Sequence, residues 1–178
     1  MSTTPSITVA ARRAERFDLI DLVGMYRRLT DEQRAIRSIW PDTDGLDEPA
    51  DATLETLLDT ESAVVVVGTI DGSVLGFLVA VEEPLLAPKT DRRIGVIRLI
   101  YTEHDARGVG VGAAMLSVVM SELEGRGIDL FDARVSPGHR MAKNFFEANG
   151  FKTRSITMHR SDEQAGPTDG VATEENQT

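Results

Sequence analysis

Residues 103–115 read Glu103-His104-Asp105-Ala106-Arg107-Gly108-Val109-Gly110-Val111-Gly112-Ala113-Ala114-Met115, with three glycines in five residues after an arginine and before an apolar helical stripe. Glycine inside a helix costs about 0.5–1 kcal/mol relative to alanine, so crowding it at a helix start requires a reason. Either the backbone turns tightly there, or something comes very close to it. A helix that follows a strand and a loop leaves its first N–H groups without partners. The helix dipole makes the space in front of them favourable to an anion. Glycines at 108, 110 and 112 remove the Cβ atoms that would hold a phosphate away from those amides, and Arg107 adds a charge able to fork onto phosphate oxygens. Two readings stay open from this stretch alone: a phosphate-bearing ligand, or a glycine-rich connection that only packs closely.

Outward from this stretch, periodicity divides the chain. Residues 7–11 read as a first strand. Leu19, Leu22, Val23, Tyr26 and Leu29 recur at helical spacing to about Arg28, and a second helix is expected over 33–38. Asp51 can cap a short helix that places Leu54, Leu57 and Leu58 on one face. Strands at 64–70 and 74–81 flank Asp71-Gly72-Ser73, a hairpin turn signal. Their almost continuous apolar character implies cover on both faces. A loop over 84–93 leads to a strand at 94–102. Beyond the glycines, Met115, Leu116, Val119, Met120 and Leu123 form a stripe that Gly125 and Gly127 end. A strand follows at 130–135. Pro137 opens another helix as a first-turn residue, with Met141, Ala142, Phe145 and Phe146 inward and Asn149-Gly150 as its stop. Residues 153–159 make a last strand. This order predicts a mixed sheet covered by helices on both faces.

Composition narrows the function. The 178 residues suit one domain, and 41% hydrophobic with 27% charged residues is an ordinary soluble balance. Without cysteine there is no thiolate nucleophile and no cysteine zinc site, and three scattered histidines lack ligand spacing, so no metal is expected. A net charge of −10 argues against a nucleic-acid binder. The apolar runs are too short to span a bilayer, so no membrane partner is expected, and with no targeting signal the expected location is cytoplasmic. We expect a flexible stretch over 1–6, one domain over 7–160, and an acidic disordered tail over 161–178, which holds Asp162, Glu163, Asp169, Glu174 and Glu175 with no Lys or Arg. A second acidic block spans 41–61, and its ordinary reading is a solvated loop and helix face.

Two phosphate motifs can be tested against the glycines. Walker A lacks its Gly-Lys-Ser/Thr ending. The dinucleotide fingerprint fits Gly108, Gly110 and Ala113, with Asp132 a plausible distance on. Its glycines should follow the strand directly, however, and too little chain remains for the later βαβ units. Taken together, Arg107-x-x-Gly110-x-Gly112 and, in the next helix, Ala142, Phe146 and Gly150-Phe151 resemble the GNAT acyltransferase superfamily, whose signature is R/Q-x-x-G-x-G/A followed by A-x-x-x-Y-x-x-x-G-F. The resemblance is close over about 94–151. It implies an α/β fold with a central, mostly antiparallel sheet of about six to seven strands and helices on both faces.

By that resemblance the chain is an N-acyltransferase that moves an acetyl group from acetyl-CoA, or another acyl-CoA, to a primary amine of a small molecule or peptide. The diphosphate is expected on the amides of Gly108, Val109, Gly110, Val111, Gly112 and Ala113. The pantetheine arm is expected along Ile100, Tyr101 and Thr102, with Arg107, His139 and Lys143 as further CoA contacts. A helix terminus contributes roughly 0.3–2 kcal/mol toward an anion, whereas micromolar affinity needs about 8 kcal/mol. Main-chain pairing must supply much of the rest.

The sequence also departs from the family pattern. Phe146 stands where a tyrosine acid is usual, and Arg98 where a glutamate base is usual. Glu103, His104 and Tyr101 are the catalytic candidates, with Glu82 and Glu83 near the same strand ends. Trp40 and Arg98 are the candidate acceptor contacts: the acidic block favours a cationic amine, Arg98 one bearing a carboxylate. Alternatives are a CoA-binding sensor or scaffold without turnover, and a dinucleotide-binding protein. A homodimer is left open.

Overall fold

The computed structural model describes residues 7–37, 39–85 and 91–158. The expectations for 1–6, Ser38, His159 and the acidic tail fall outside these residues. Five strands form one sheet in the order β1-β2-β3-β4-β5, with β1 at Val9–Arg13, β2 at Ala63–Ile70, β3 at Ser73–Pro84, β4 at Arg93–Thr102 and β5 at Phe131–Ala133. The first four pair antiparallel, and β5 joins β4 in parallel. Among the described residues the expected sixth strand is not formed: residues 151–158 take no ladder position, although Arg154 is ion-paired to Asp132 of β5.

Both faces of the sheet are covered, as the apolar runs predicted. Alternation along each strand divides the core in two. Val65, Val67, Phe77, Val79, Leu99 and Tyr101 face helices α1 (Leu19–Ile36), α2 (Trp40–Thr43) and α3 (Ala50–Asp59). Val64, Val66, Leu78, Ala80 and Ile97 face α4 (Val111–Gly125) and α5 (Arg140–Ala148).

Three local expectations are corrected. The two helices expected before residue 38 are one, α1, running through Thr30, whose hydroxyl donates back to the Tyr26 carbonyl at 2.9 Å. Asp51 does not cap α3; it sits in the first turn after Pro49. Pro137 does not begin α5 either. It occupies the Ser136–His139 turn, closed by a 3.1 Å bond from the His139 amide to the Ser136 carbonyl, with Gly138 at φ 90°. Proline followed by a positive-φ glycine is the chemistry of a type II turn. The helix therefore starts later, and Met141 is 53% exposed rather than inward.

α4 lies close on the sheet because β2 offers it no side chain at one point. A Cβ on Gly68 would fall 2.5 Å from Val111 Cγ1 and 2.9 Å from Met115 Cγ. Gly68→Val should therefore force α4 off β2 and cost about 1–3 kcal/mol or more. Thermal unfolding should show a midpoint lower by several degrees, and an unchanged midpoint would contradict this packing.

Candidate functional site

The three glycines have two different tasks. Gly108 and Gly110 have φ of 78° and 100°, the left-handed region where a Cβ is strained, and a Cβ on either would meet no atom within 4 Å. Close packing therefore does not explain them. They make the turn, and they leave the space before the helix open. Gly112 is a packing glycine: its Cβ would lie 3.1 Å from the Phe145 ring of α5. Gly110 is the N-cap residue of α4, and the first helical bond runs from the Ala114 amide to the Gly110 carbonyl at 2.9 Å. The amides of Val111, Gly112 and Ala113 consequently have no partner within the helix.

Beside this terminus, β4 has an edge left unpaired among the described residues. β5 meets it at only three positions, Gly95 with Phe131, Val96 with Asp132 and Ile97 with Ala133. The Gly95 amide bonds the Leu130 carbonyl at 2.9 Å before them and the Arg134 amide bonds the Ile97 carbonyl at 3.1 Å after them, and past that bond the strands part. On the other side of β4 the register with β3 slips: Val79 faces Leu99 while Ala80 faces Ile97, leaving Arg98 as the extra residue of a β-bulge. Such a bulge bends a strand and redirects its side chains. Past it, the Glu103 amide bonds the Leu75 carbonyl across β3 at 2.8 Å. By antiparallel alternation the main-chain groups of Ile100 and Thr102 then point to the open edge.

Arg107 ties these parts to α1. Its Nη2 donates to both Glu32 oxygens at 2.7 and 2.9 Å, its Nε donates to the Thr102 carbonyl at 2.8 Å, and its guanidinium lies 5.5 Å from the Tyr101 ring centroid. The arginine expected to fork onto phosphate is thus engaged within the protein and secures the loop before α4. Glu32 and Gln33 reach the site only because α1 is continuous, a continuity the sequence pattern did not reveal. Gln33 is buried, and its amide Nε2 pairs with His139 Nδ1 at 3.0 Å, leaving its own Oε1 buried without a partner among the described residues. His139 precedes α5, and burial pushes its pKa down, with Glu32 pulling it up and Arg107 pushing it further down.

The remaining candidates divide clearly. The Tyr101 hydroxyl donates to Glu103 at 3.2 Å, and burial, followed by the charge of Glu103, raises its pKa so that it stays protonated. The other Glu103 oxygen is ion-paired to Arg28 at 2.5 Å. His104 stands in solvent beside Asp105. Lys143 pairs with Glu147 along α5 at 2.5 Å. Trp40, expected at an acceptor, is instead only 5% exposed and packs against Tyr26 at 6.5 Å. Phe146 is a core ring edge-on to Phe145 and Phe151. A concavity of about 650 Å³ lined by Thr60, Glu61, Ser62, Glu82 and Arg126 lies at the opposite end of α4, away from the unpartnered amides.

Residues 25–151 match the family model described as Acetyltransferase (GNAT) family. No curated protein matches the chain in sequence. Among solved structures, the aminoglycoside N-acetyltransferase AAC(6')-Iy in complex with CoA is 18% identical with a TM-score of 0.70, covering 90% of this chain and 99% of that one. A tetramutant of the BH1408 protein from Bacillus halodurans is 19% identical with a TM-score of 0.72, covering 85% and 98%. A ribosomal-protein-alanine N-acetyltransferase from Brucella melitensis biovar Abortus 2308 is 18% identical with a TM-score of 0.64, covering 86% and 98%. At such identities the likeness is one of fold.

The depressed pKa of His139 has a measurable consequence. As pH falls below the ordinary value of 6.5 the unfolded chain takes up this proton before the folded one does. The contribution of a neutral His139 is complete above 6.5 and declines below it. Denaturant unfolding between about pH 5 and 7 should show stability rising with pH, and His139→Asn should flatten that slope. An unaltered slope in the variant would place the titrating group elsewhere.

Proposed function

The chain belongs to the GNAT acetyltransferase family, and from that premise we propose that it is an acyl-CoA-dependent N-acetyltransferase, moving acetyl from acetyl-CoA to a primary amine of a small molecule or peptide. One observation carries the reading: two left-handed glycines with open space before them hold unpartnered amides next to an unpaired strand edge. The amides of 108–113 suit a diphosphate, and the main-chain groups of Ile100 and Thr102 suit the amide-bearing arm of CoA. Arg107 acts in this reading by fixing the Thr102 carbonyl and the loop rather than by touching phosphate. The relatives crystallised with CoA are consistent with the same class of donor.

In the reaction the amine lone pair attacks the thioester carbonyl, the C–N bond forms, the C–S bond breaks, and the thiolate leaves. A thiol of pKa near 8.5 leaves without an acid, so a phenylalanine at 146 is no obstacle. The amine is the harder partner. At pKa near 10.4 only about one part in a few thousand is neutral at pH 7. The nominated carboxylates are all engaged: Glu82 with Arg93 and Arg126, Glu83 with Arg98 and Arg134, and Glu103 with Arg28 and Tyr101. We therefore assign the amine's proton to water.

Acetyl-CoA at 100 times its Kd should stabilise the protein by about 2.7 kcal/mol, NAD should not, and amines should release free thiol. Ala113→Glu, an exposed third-position substitution in α4, should stabilise the free protein by about 0.3–1 kcal/mol through the helix dipole yet weaken CoA binding by opposing the diphosphate. Loss or gain of both together would contradict the phosphate assignment, and binding without thiol release would favour a CoA sensor. With water taking the proton, kcat/KM should climb about tenfold per pH unit toward the pKa of the amine. A plateau near pH 6–7 would instead reveal a side-chain base.

A further inference from the structure

Glu83, Arg98 and Arg134 meet where β4 and β5 part. Arg98 Nη1 stands 3.7 Å from Glu83 Oε1, and Arg134 Nη2 stands 3.3 and 3.4 Å from the two Glu83 oxygens. Two other half-buried pairs close fully: Arg12 on Asp18 at 2.7 and 2.8 Å, and Arg107 on Glu32 at 2.7 and 2.9 Å. Here two guanidinium groups share one carboxylate loosely, and the cluster carries a net positive charge. Neighbouring carboxylates do not balance it, since Glu82 is held by Arg93 and Arg126 and Asp132 by Arg154.

Arg98 is the least satisfied of the three. Among the described residues its guanidinium makes no hydrogen bond, and its Nε is buried with no partner. A buried donor without an acceptor is costly, more so on a charged group. An arginine whose task was to brace the sheet would close onto Glu83, as Arg12 and Arg107 close onto their partners. The bulge instead places it at the point of separation, two residues from Ile100 on the open edge. Planar guanidinium donors fit the two oxygens of a carboxylate.

We propose that Arg98 and Arg134 together hold a carboxylate of the acyl acceptor, so that the acceptor is an amine that also bears a carboxylate, as a free amino acid does. The inference rests on the acetyltransferase reading. It sets aside the acidic block as the acceptor's recognition surface. Within that block Glu55 and Asp59 are taken by Arg16 and Asp44 by Arg37, and Trp40 is buried.

The test compares kcat/KM for the twenty L-amino acids and their amides in the wild type, Arg98→Gln and Arg134→Gln, with phosphoethanolamine and ethanolamine as a second pair. At least one amino acid should exceed its amide about tenfold or more, and that preference should fall about ten- to a hundredfold in each variant, the range of a charge-assisted bond. Arg98→Gln should melt no lower than the wild type, because it removes an unpaired buried donor. No acid preferred over its amide, a preference surviving both substitutions, or a preference confined to phosphoethanolamine would overturn the proposal. CoA stabilisation, measured on the same proteins, reports separately on the acetyltransferase reading. Should that fail, calorimetric binding of the amino acids to the free protein decides: heat lost in Arg98→Gln supports the pair, and no heat overturns it.

Discussion

The parting of β4 from β5 is the constraint on which the rest depends. Parallel strands pair here for three residues and then separate, leaving main-chain donors and acceptors that must be met by water or by something shaped like a strand. The bulge at Arg98 sits at the separation, so bending of the strand and redirection of its side chains occur where a ligand would pass. A fully paired sheet would have no such place. The short β5 is the local counterpart of the opening that the proposed site would use.

That opening is useful only if the helix terminus stands beside it, and packing arranges this. Gly68 lets α4 lie against β2, Gly112 lets α5 lie against α4, and the Glu32–Arg107–Thr102 bonds tie the end of α1 to the loop between β4 and α4. The last of these is half-buried, where a bidentate arginine–carboxylate pair with further hydrogen bonds offsets its desolvation best. Glycines in this chain therefore serve three purposes: left-handed backbone, open space and close approach. A count of glycines does not distinguish them.

Electrostatics distributes the chemistry. The protein is acidic overall, yet the carboxylates near the strand ends are each answered by an arginine or a phenol. Positive charge collects at Arg98 and Arg134 instead. In the proposed reading such a site orients an anion and leaves proton removal to solvent, which accords with a core phenylalanine and an arginine standing where the family pattern has an acid and a base.

Much of the fold was legible in the sequence because it follows from short-range rules. The Asp-Gly hairpin, the continuous apolar strands, the stripe from Met115 to Leu123 and the glycine-rich helix start all express local backbone preference and periodicity. The misplaced features have non-local causes. α1 runs through a polar stretch where periodicity weakens, Pro137 belongs to a turn rather than a helix, and residues 153–158 alternate like a strand without gaining a partner. In the site, the sequence by itself determined the amides and the glycines that leave them bare, since both are properties of consecutive residues. Only the tertiary structure decided that Arg107 answers Glu32, that Trp40 belongs to the core, and that Arg98 and Arg134 share one carboxylate. The partners of a charged or aromatic side chain are set by distances between segments far apart in the chain, which no local pattern encodes.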